Sequence, residues 1–140
     1  HPGGSLGKQL TPVRNVMRDG GELRIADCRE TIRSTLQRLR STGRRTGALL
    51  AVNPDGTLAG IFTDSDLAKI LEQHRDEQLD QPLEQVMTRA PATINVDARL
   101  IDAVTLLTER KISELPVVNN DGQLVGLIDI TDVIGLSPHC

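Results

Sequence analysis

A twelve-residue stretch of this chain returns later with the same design. Asp55-Gly56-Thr57-Leu58-Ala59-Gly60-Ile61-Phe62-Thr63-Asp64-Ser65-Asp66 returns, 66 residues on, as Asp121-Gly122-Gln123-Leu124-Val125-Gly126-Leu127-Ile128-Asp129-Ile130-Thr131-Asp132. Each copy reads as a tight turn, a short buried strand and the mouth of a helix. A repeat at constant spacing constrains architecture more than any single motif, because the chain must build the same unit twice. A unit of about 66 residues has a marginal core alone, so the two are expected to pack against each other.

The remaining composition removes several function classes. A net charge of −3 over 140 residues gives no basis for a nucleic-acid or anionic-membrane surface. Phe62 is the sole aromatic residue, so bases have no aromatic platform to stack on. Cys28 and Cys140 make no disulfide framework, and His1, His74 and His139 are too scattered for a metal site. Cys28 reads as structural, and Met17 and Met87 as core filling at the repeat junctions. No apolar run approaches the ~18 residues of a membrane span and no signal peptide is visible, so a cytoplasmic location is expected. The chain begins at His1 without a Met, which suggests a piece of a longer protein.

Taken in order, residues 1–10 read as a Gly/Pro-rich linker, 11–76 as the first repeat, 77–81 as a polar linker and 82–137 as the second. Val16-Met17 is echoed by Val86-Met87, each closing a short helical turn opened by Pro12 or Pro82. Leu23-Arg24-Ile25 is a brief strand. Asp27 with Glu30 predicts a capping box and a helix to about Ser41, with Ile32, Leu36 and Leu39 inward. Ala48–Val52 and Leu58–Phe62 flank the Asn53-Pro54-Asp55-Gly56 turn as a hairpin. Asp64 to about Gln73 is a helix with Leu67, Ile70 and Leu71 inward. The second repeat follows suit. It has a strand over Thr93–Val96, a helix capped by Asp97 and running to about Lys111, a hairpin from Leu115 to Ile128 and a last helix over Ile130–Leu136. The fold class is therefore α/β (α+β), with two β-α-β-β-α repeats packed as a pseudo-twofold pair.

A tandem β-α-β-β-α repeat ending in Gly-h-h-Thr/Ser-x-x-Asp, with h apolar, resembles the cystathionine β-synthase (CBS) domain pair. Gly60-Ile61-Phe62-Thr63-Asp64-Ser65-Asp66 matches fully; the second copy has Asp129 in place of Thr/Ser. The Val-Met turns and Leu115-Pro116-Val117-Val118 fit the same pattern, which covers residues 11–136. His1-Pro2-Gly3-Gly4-Ser5-Leu6-Gly7-Lys8 is similar to the end of the sugar-isomerase (SIS) domain of bacterial arabinose-5-phosphate isomerases, where it leads into a CBS pair. That resemblance implies a parent interconverting ribulose 5-phosphate and arabinose 5-phosphate toward the lipopolysaccharide sugar Kdo. His1 would sit in its catalytic machinery, and this stretch alone would be inert as an isomerase.

The resemblance also implies where a ligand would sit. A helix N-terminus suits phosphate. Thr63 would offer its hydroxyl to a phosphate, and Asp66 would accept from both ribose hydroxyls. Ile25 and Leu49 would sandwich a base in the first repeat, and Ile94 and Val117 in the second. Arg45, beside Arg44 and near Arg38 and Arg40, is a candidate phosphate ligand. Asp132 is a candidate for a ribose or sugar hydroxyl, whereas Asp129 would repel a phosphate at close range. The same Thr63-x-x-Asp66 spacing is also a capping box that needs no ligand. The expected ligand is a regulatory nucleotide, AMP or ATP, or a nucleotide-activated sugar such as CMP-Kdo. No cofactor or metal is required, and the helix faces would form a homodimer beside the attached SIS domain. The alternatives are a ligand-free dimerisation module, or the CBS pair of another enzyme or transporter.

Overall fold

The computed structural model describes residues 7–40 and 46–134. The chain divides into two compact units that do not follow the repeats in simple order. One is the contiguous segment Gly21–Pro91; the other joins the chain up to Gly20 with the chain from Ala92 onward. The lead-in of each repeat is thus built into the unit formed by the other.

In the contiguous unit, β1 (Ile25–Asp27) runs parallel to β2 (Ala48–Val52), which pairs antiparallel with β3 (Leu58–Thr63) and, beyond it, β4 (Thr88–Arg89). The helices are α1 (Ile32–Arg38), α2 (Asp64–Glu72) and α3 (Leu83–Val86). In the discontinuous unit, β5 (Ile94–Asn95) runs parallel to β6 (Glu114–Val118), which pairs antiparallel with β7 (Leu124–Asp129). Arg18 bridges to Leu127 on the far side of β7, the place that β4 holds in the first sheet. This unit holds the helix α4 (Leu100–Arg110), and residues 7–9 are also helical, where the sequence predicts only linker.

The hairpins follow from turn chemistry. The Asn53 N–H donates to Thr57 O at 2.9 Å, as the Asn119 N–H does to Gln123 O at 3.0 Å. Gly56 and Gly122 take φ of 87° and 78°, which disfavours any residue with a Cβ. Both hairpins carry a register shift at the same point, Ala51/Val52 and Val117/Val118. A return strand then hands over directly to a 3₁₀ turn or helix. The amide of Asp64 donates to Gly47 O, and that of Ile130 to Ser113 O, each at 2.8 Å.

Helix starts fall later than the sequence predicts. Asp27 does not cap α1. Its carboxylate accepts from the Arg29 backbone and guanidinium, and Thr31 is the cap, accepting from Ser34 N–H at 3.1 Å. The reason is tertiary. Carbonyls of Cys28 and Glu30 accept from Glu84 and Leu83, and the Glu30 N–H closes a turn onto Asp27 O, so this stretch stays a turn and the helix waits until Thr31. Asp97 is displaced in the same way. Val13 donates to Ala98 O and Leu100 to Thr11 O, so α4 begins after Arg99, with Asp102 accepting from the Arg99 N–H. Asp97 pairs with Arg14 instead. Helix α1 ends at Arg38, short of Ser41, which lies outside the described residues. The strand predicted over Leu23–Ile25 forms at Ile25–Asp27, and the final helix is a 3₁₀ turn, Ile130–Asp132, within its described part.

Each unit has its own core. Ala26, Ile32, Leu49, Ala51, Phe62 and Ile70 are joined by Leu83 and Met87 from the second repeat's lead-in. Ile94, Leu100, Val104, Leu107, Leu115, Val117 and Ile128 are joined by Val13 from the first. Leu71, expected inward, is 50% exposed. Cys28 is buried, and burial pushes its thiol pKa up, away from reactivity.

A glycine in each return strand makes this exchange possible. A Cβ on Gly60 would lie 2.5 Å from Met87 Sδ and 2.6 Å from Thr88 O; one on Gly126 would lie 2.8 Å from Met17 Cγ and 2.9 Å from Arg18 O. Gly60→Ala and Gly126→Ala should each destabilise by about 1–3 kcal/mol through overpacking. Gly21→Ala, with open space around it, should not. Urea denaturation of the three variants checks this, and Met87→Ala should rescue part of the Gly60→Ala loss. Asp27, beside the Arg29 guanidinium, has its pKa lowered to about 2. A depressed carboxylate pKa contributes stability above its unfolded value of about 3.9 and loses it as pH falls toward 2. Carboxyl-carbon NMR should therefore show Asp27 titrating near pH 2.

Candidate functional site

The two mouths share a plan but differ in charge. At the first, Thr63 caps the nine-residue helix α2. Its Oγ1 accepts from the Asp66 N–H at 3.2 Å, and Asp66 Oδ2 accepts from the Thr63 N–H at 2.9 Å. The capping box therefore forms, yet leaves chemistry to spare. The Thr63 hydroxyl hydrogen remains free to be donated, since a hydroxyl both donates and accepts. Among the described residues, Asp66 Oδ1 accepts no hydrogen bond. Both side chains are half-buried at the rim.

At the second mouth, Asp129 caps the 3₁₀ turn, its carboxylate accepting from Thr131 N–H at 2.9 Å and from the Thr131 hydroxyl at 2.7 Å. Asp132 Oδ2 accepts from the Asp129 N–H at 3.0 Å. Asp132 is also gripped by Arg18: Nε reaches Oδ2 at 3.0 Å, and Nη2 reaches Oδ1 at 3.0 Å and Thr131 Oγ1 at 3.2 Å. This pair is nearly buried, with side chains 8% and 12% exposed.

The four apolar residues expected to hold a base are placed unevenly. Leu49, Ile94 and Val117 are core residues, 2%, 5% and 0% exposed. Ile25 alone is half-exposed. Arg38, one of the expected basic cluster, is committed to Glu30, which accepts at 2.8 and 3.1 Å and whose pKa is lowered chiefly by that hydrogen bond. Arg44, Arg45 and His1 lie outside the described residues. Arg18 is the residue that sequence reasoning missed. Setting Met17-Arg18 beside Met87-Thr88 would have singled it out as a charge present at one mouth only. Among the described residues no cluster of His, Cys, Asp or Glu fits a metal ion, and no helix is long and apolar enough to cross a membrane.

The CBS domain family model matches residues 13–73 and 83–139. Arabinose 5-phosphate isomerase KdsD of Francisella tularensis is 33% identical over 97% of this chain. Arabinose 5-phosphate isomerase KpsF of Escherichia coli is 33% identical over 94%. The chain spans only 41% and 39% of their lengths. Among solved structures, CBSX2 in complex with AMP has a TM-score of 0.75 at 25% identity, covering 89% of this chain and 94% of that one. The CBS domain pair of protein MJ0100, in complex with 5′-methylthioadenosine and S-adenosyl-L-methionine, has a TM-score of 0.76 at 25% identity, covering 91% and 95%. Two structural units, two matching repeats and these likenesses place the chain in the CBS domain family, as a tandem pair that resembles the CBS region of arabinose 5-phosphate isomerases.

Proposed function

We propose that this CBS pair is the regulatory region of an arabinose 5-phosphate isomerase and binds an adenosine nucleotide at the first mouth. The observation that carries the reading is the spare capacity there: a free hydroxyl donor on Thr63 and a free carboxylate oxygen on Asp66. A ribose diol donates to the carboxylate, a phosphate accepts from Thr63 and the α2 N-terminus, and Ile25 covers one side of the base. Similar pairs with adenosine-type ligands support that chemistry. The bound nucleotide biases an attached SIS domain only by preferring one of its conformational states, so binding and isomerase activity are linked reciprocally. Calorimetry with AMP, ATP and CMP-Kdo is the test. Saturable AMP binding, weakened at least ~10-fold in a folded Asp66→Ala variant, is expected; removing a charge-assisted contact has about that effect. No heat with any of the three rules the reading out.

The outward face of α4 favours a second, compatible role in dimerisation. Ile101, Thr105 and Thr108 line a shallow groove there, with the edge of the buried Val104 at its floor, an uncharged stripe broken only by Glu109. Two copies would meet along it. Light scattering should give twice the monomer mass, and Thr105→Glu on this exposed face should halve it. A monomer at millimolar concentration excludes this role.

A further inference from the structure

We infer that the pair takes one nucleotide per chain, because the second mouth is already occupied by the chain's own Arg18. The inference rests on the nucleotide reading of the first mouth and extends it to the number of sites. Asp132 holds the place in the second repeat that Asp66 holds in the first. The chain segment after Met17 pairs with β7 through reciprocal bonds, Arg18 N–H to Leu127 O at 2.8 Å and Leu127 N–H to Arg18 O at 2.9 Å. In the first sheet, Thr88 makes the equivalent pairing with Ile61. The backbone thus puts Arg18 at one mouth and Thr88 at the other, in the same register.

Thr88 is exposed, short and uncharged, and makes no hydrogen bond to Asp66. Arg18 instead lays its guanidinium edge along the Asp132 carboxylate, with N–H donors on both oxygens. Those are the two atoms that a ribose diol would need. A diol offers two neutral O–H donors where the guanidinium offers charged, rigidly spaced ones, so the diol does not displace it. Asp129, the cap that stands where Thr63 stands in the first repeat, adds a second obstacle, because a carboxylate there repels a phosphate at close range. The mouth is closed by a substitute for the ligand rather than by bulk.

The test is calorimetric and NMR titration of the intact chain with AMP. Wild type should bind one AMP per chain, with amide shifts centred on Thr63–Asp66 and none at Arg18, Thr131 or Asp132. Arg18→Thr/Asp129→Thr, which copies both residues of the first repeat, should gain a second site that Asp129→Thr alone does not gain and that is lost again when Asp132→Ala is added. Two AMP per chain in wild type, saturating shifts at Asp132, a second site in Asp129→Thr alone, or a folded Arg18→Thr/Asp129→Thr variant that takes no more AMP than Asp129→Thr would overturn the inference. Wild type that binds none defeats the reading of the first mouth, while a site gained only when Arg18 is also replaced still upholds the closure. Removing the arginine takes a cation away from the half-buried Asp132 carboxylate and can unfold the unit. In that event the wild-type shifts at Arg18 and Asp132 decide alone: silence at 10 mM AMP, on the order of ten times a weak millimolar Kd, upholds the closure, and saturable movement overturns it.

Discussion

A methionine lying on a bare glycine holds each sheet together at its outer edge. Met87 covers Gly60 and Met17 covers Gly126, in each case with the backbone that follows paired to the return strand. Any Cβ at the glycine would push the methionine and the next carbonyl away together. Without that close approach, neither sheet gains its last pairing and neither core gains the lead-in residues Leu83 or Val13. The Val-Met turn and the glycine of the return strand are therefore one feature, although they lie far apart in sequence.

The same pairing carries the difference between the mouths. A strand partner fixes where the residue after the methionine must sit, and its identity then decides the local charge. Threonine leaves the first mouth with hydrogen-bonding capacity unspent; arginine spends it at the second. Duplication supplied two equal frames, and one side chain made them unequal. The capping box is common to both, so the motif Gly-h-h-x-x-x-Asp reports the fold and says nothing about occupancy by itself.

Much of the architecture could be read from the residues because it is local. The Asn-Pro-Asp-Gly and Asn-Asn-Asp-Gly turns specify their hairpins, and the apolar run Ala48–Val52 specifies a buried strand. Leu100, Ala103, Val104 and Leu107 face inward as their helical spacing requires. The misses share a cause. Asp27 and Asp97 are good caps by chemistry, but the lead-in of the other repeat binds the backbone just after them and delays each helix. Leu71 follows the apolar spacing of α2 yet stays exposed, since Ile70 and Leu67 already fill the facing surface. Thr63 and Asp66 were legible as a candidate site; the pairing of Arg18 with Asp132 was not, because the two lie 114 residues apart and only the comparison of the two lead-ins marks Arg18 at all.

The exchange of lead-ins also sets an order of assembly. Gly21–Pro91 is contiguous, so everything its unit needs is present once Pro91 has been synthesised. The other unit cannot close until β7 exists, and Val13 must wait without its full core while the chain grows by about 115 residues to Ile128. Contacts across that separation are slow to form, and an apolar segment held open meanwhile is exposed to wrong partners. The Gly20–Gly21 junction, where the chain leaves one unit for the other, is thus a temporal boundary as well as a spatial one.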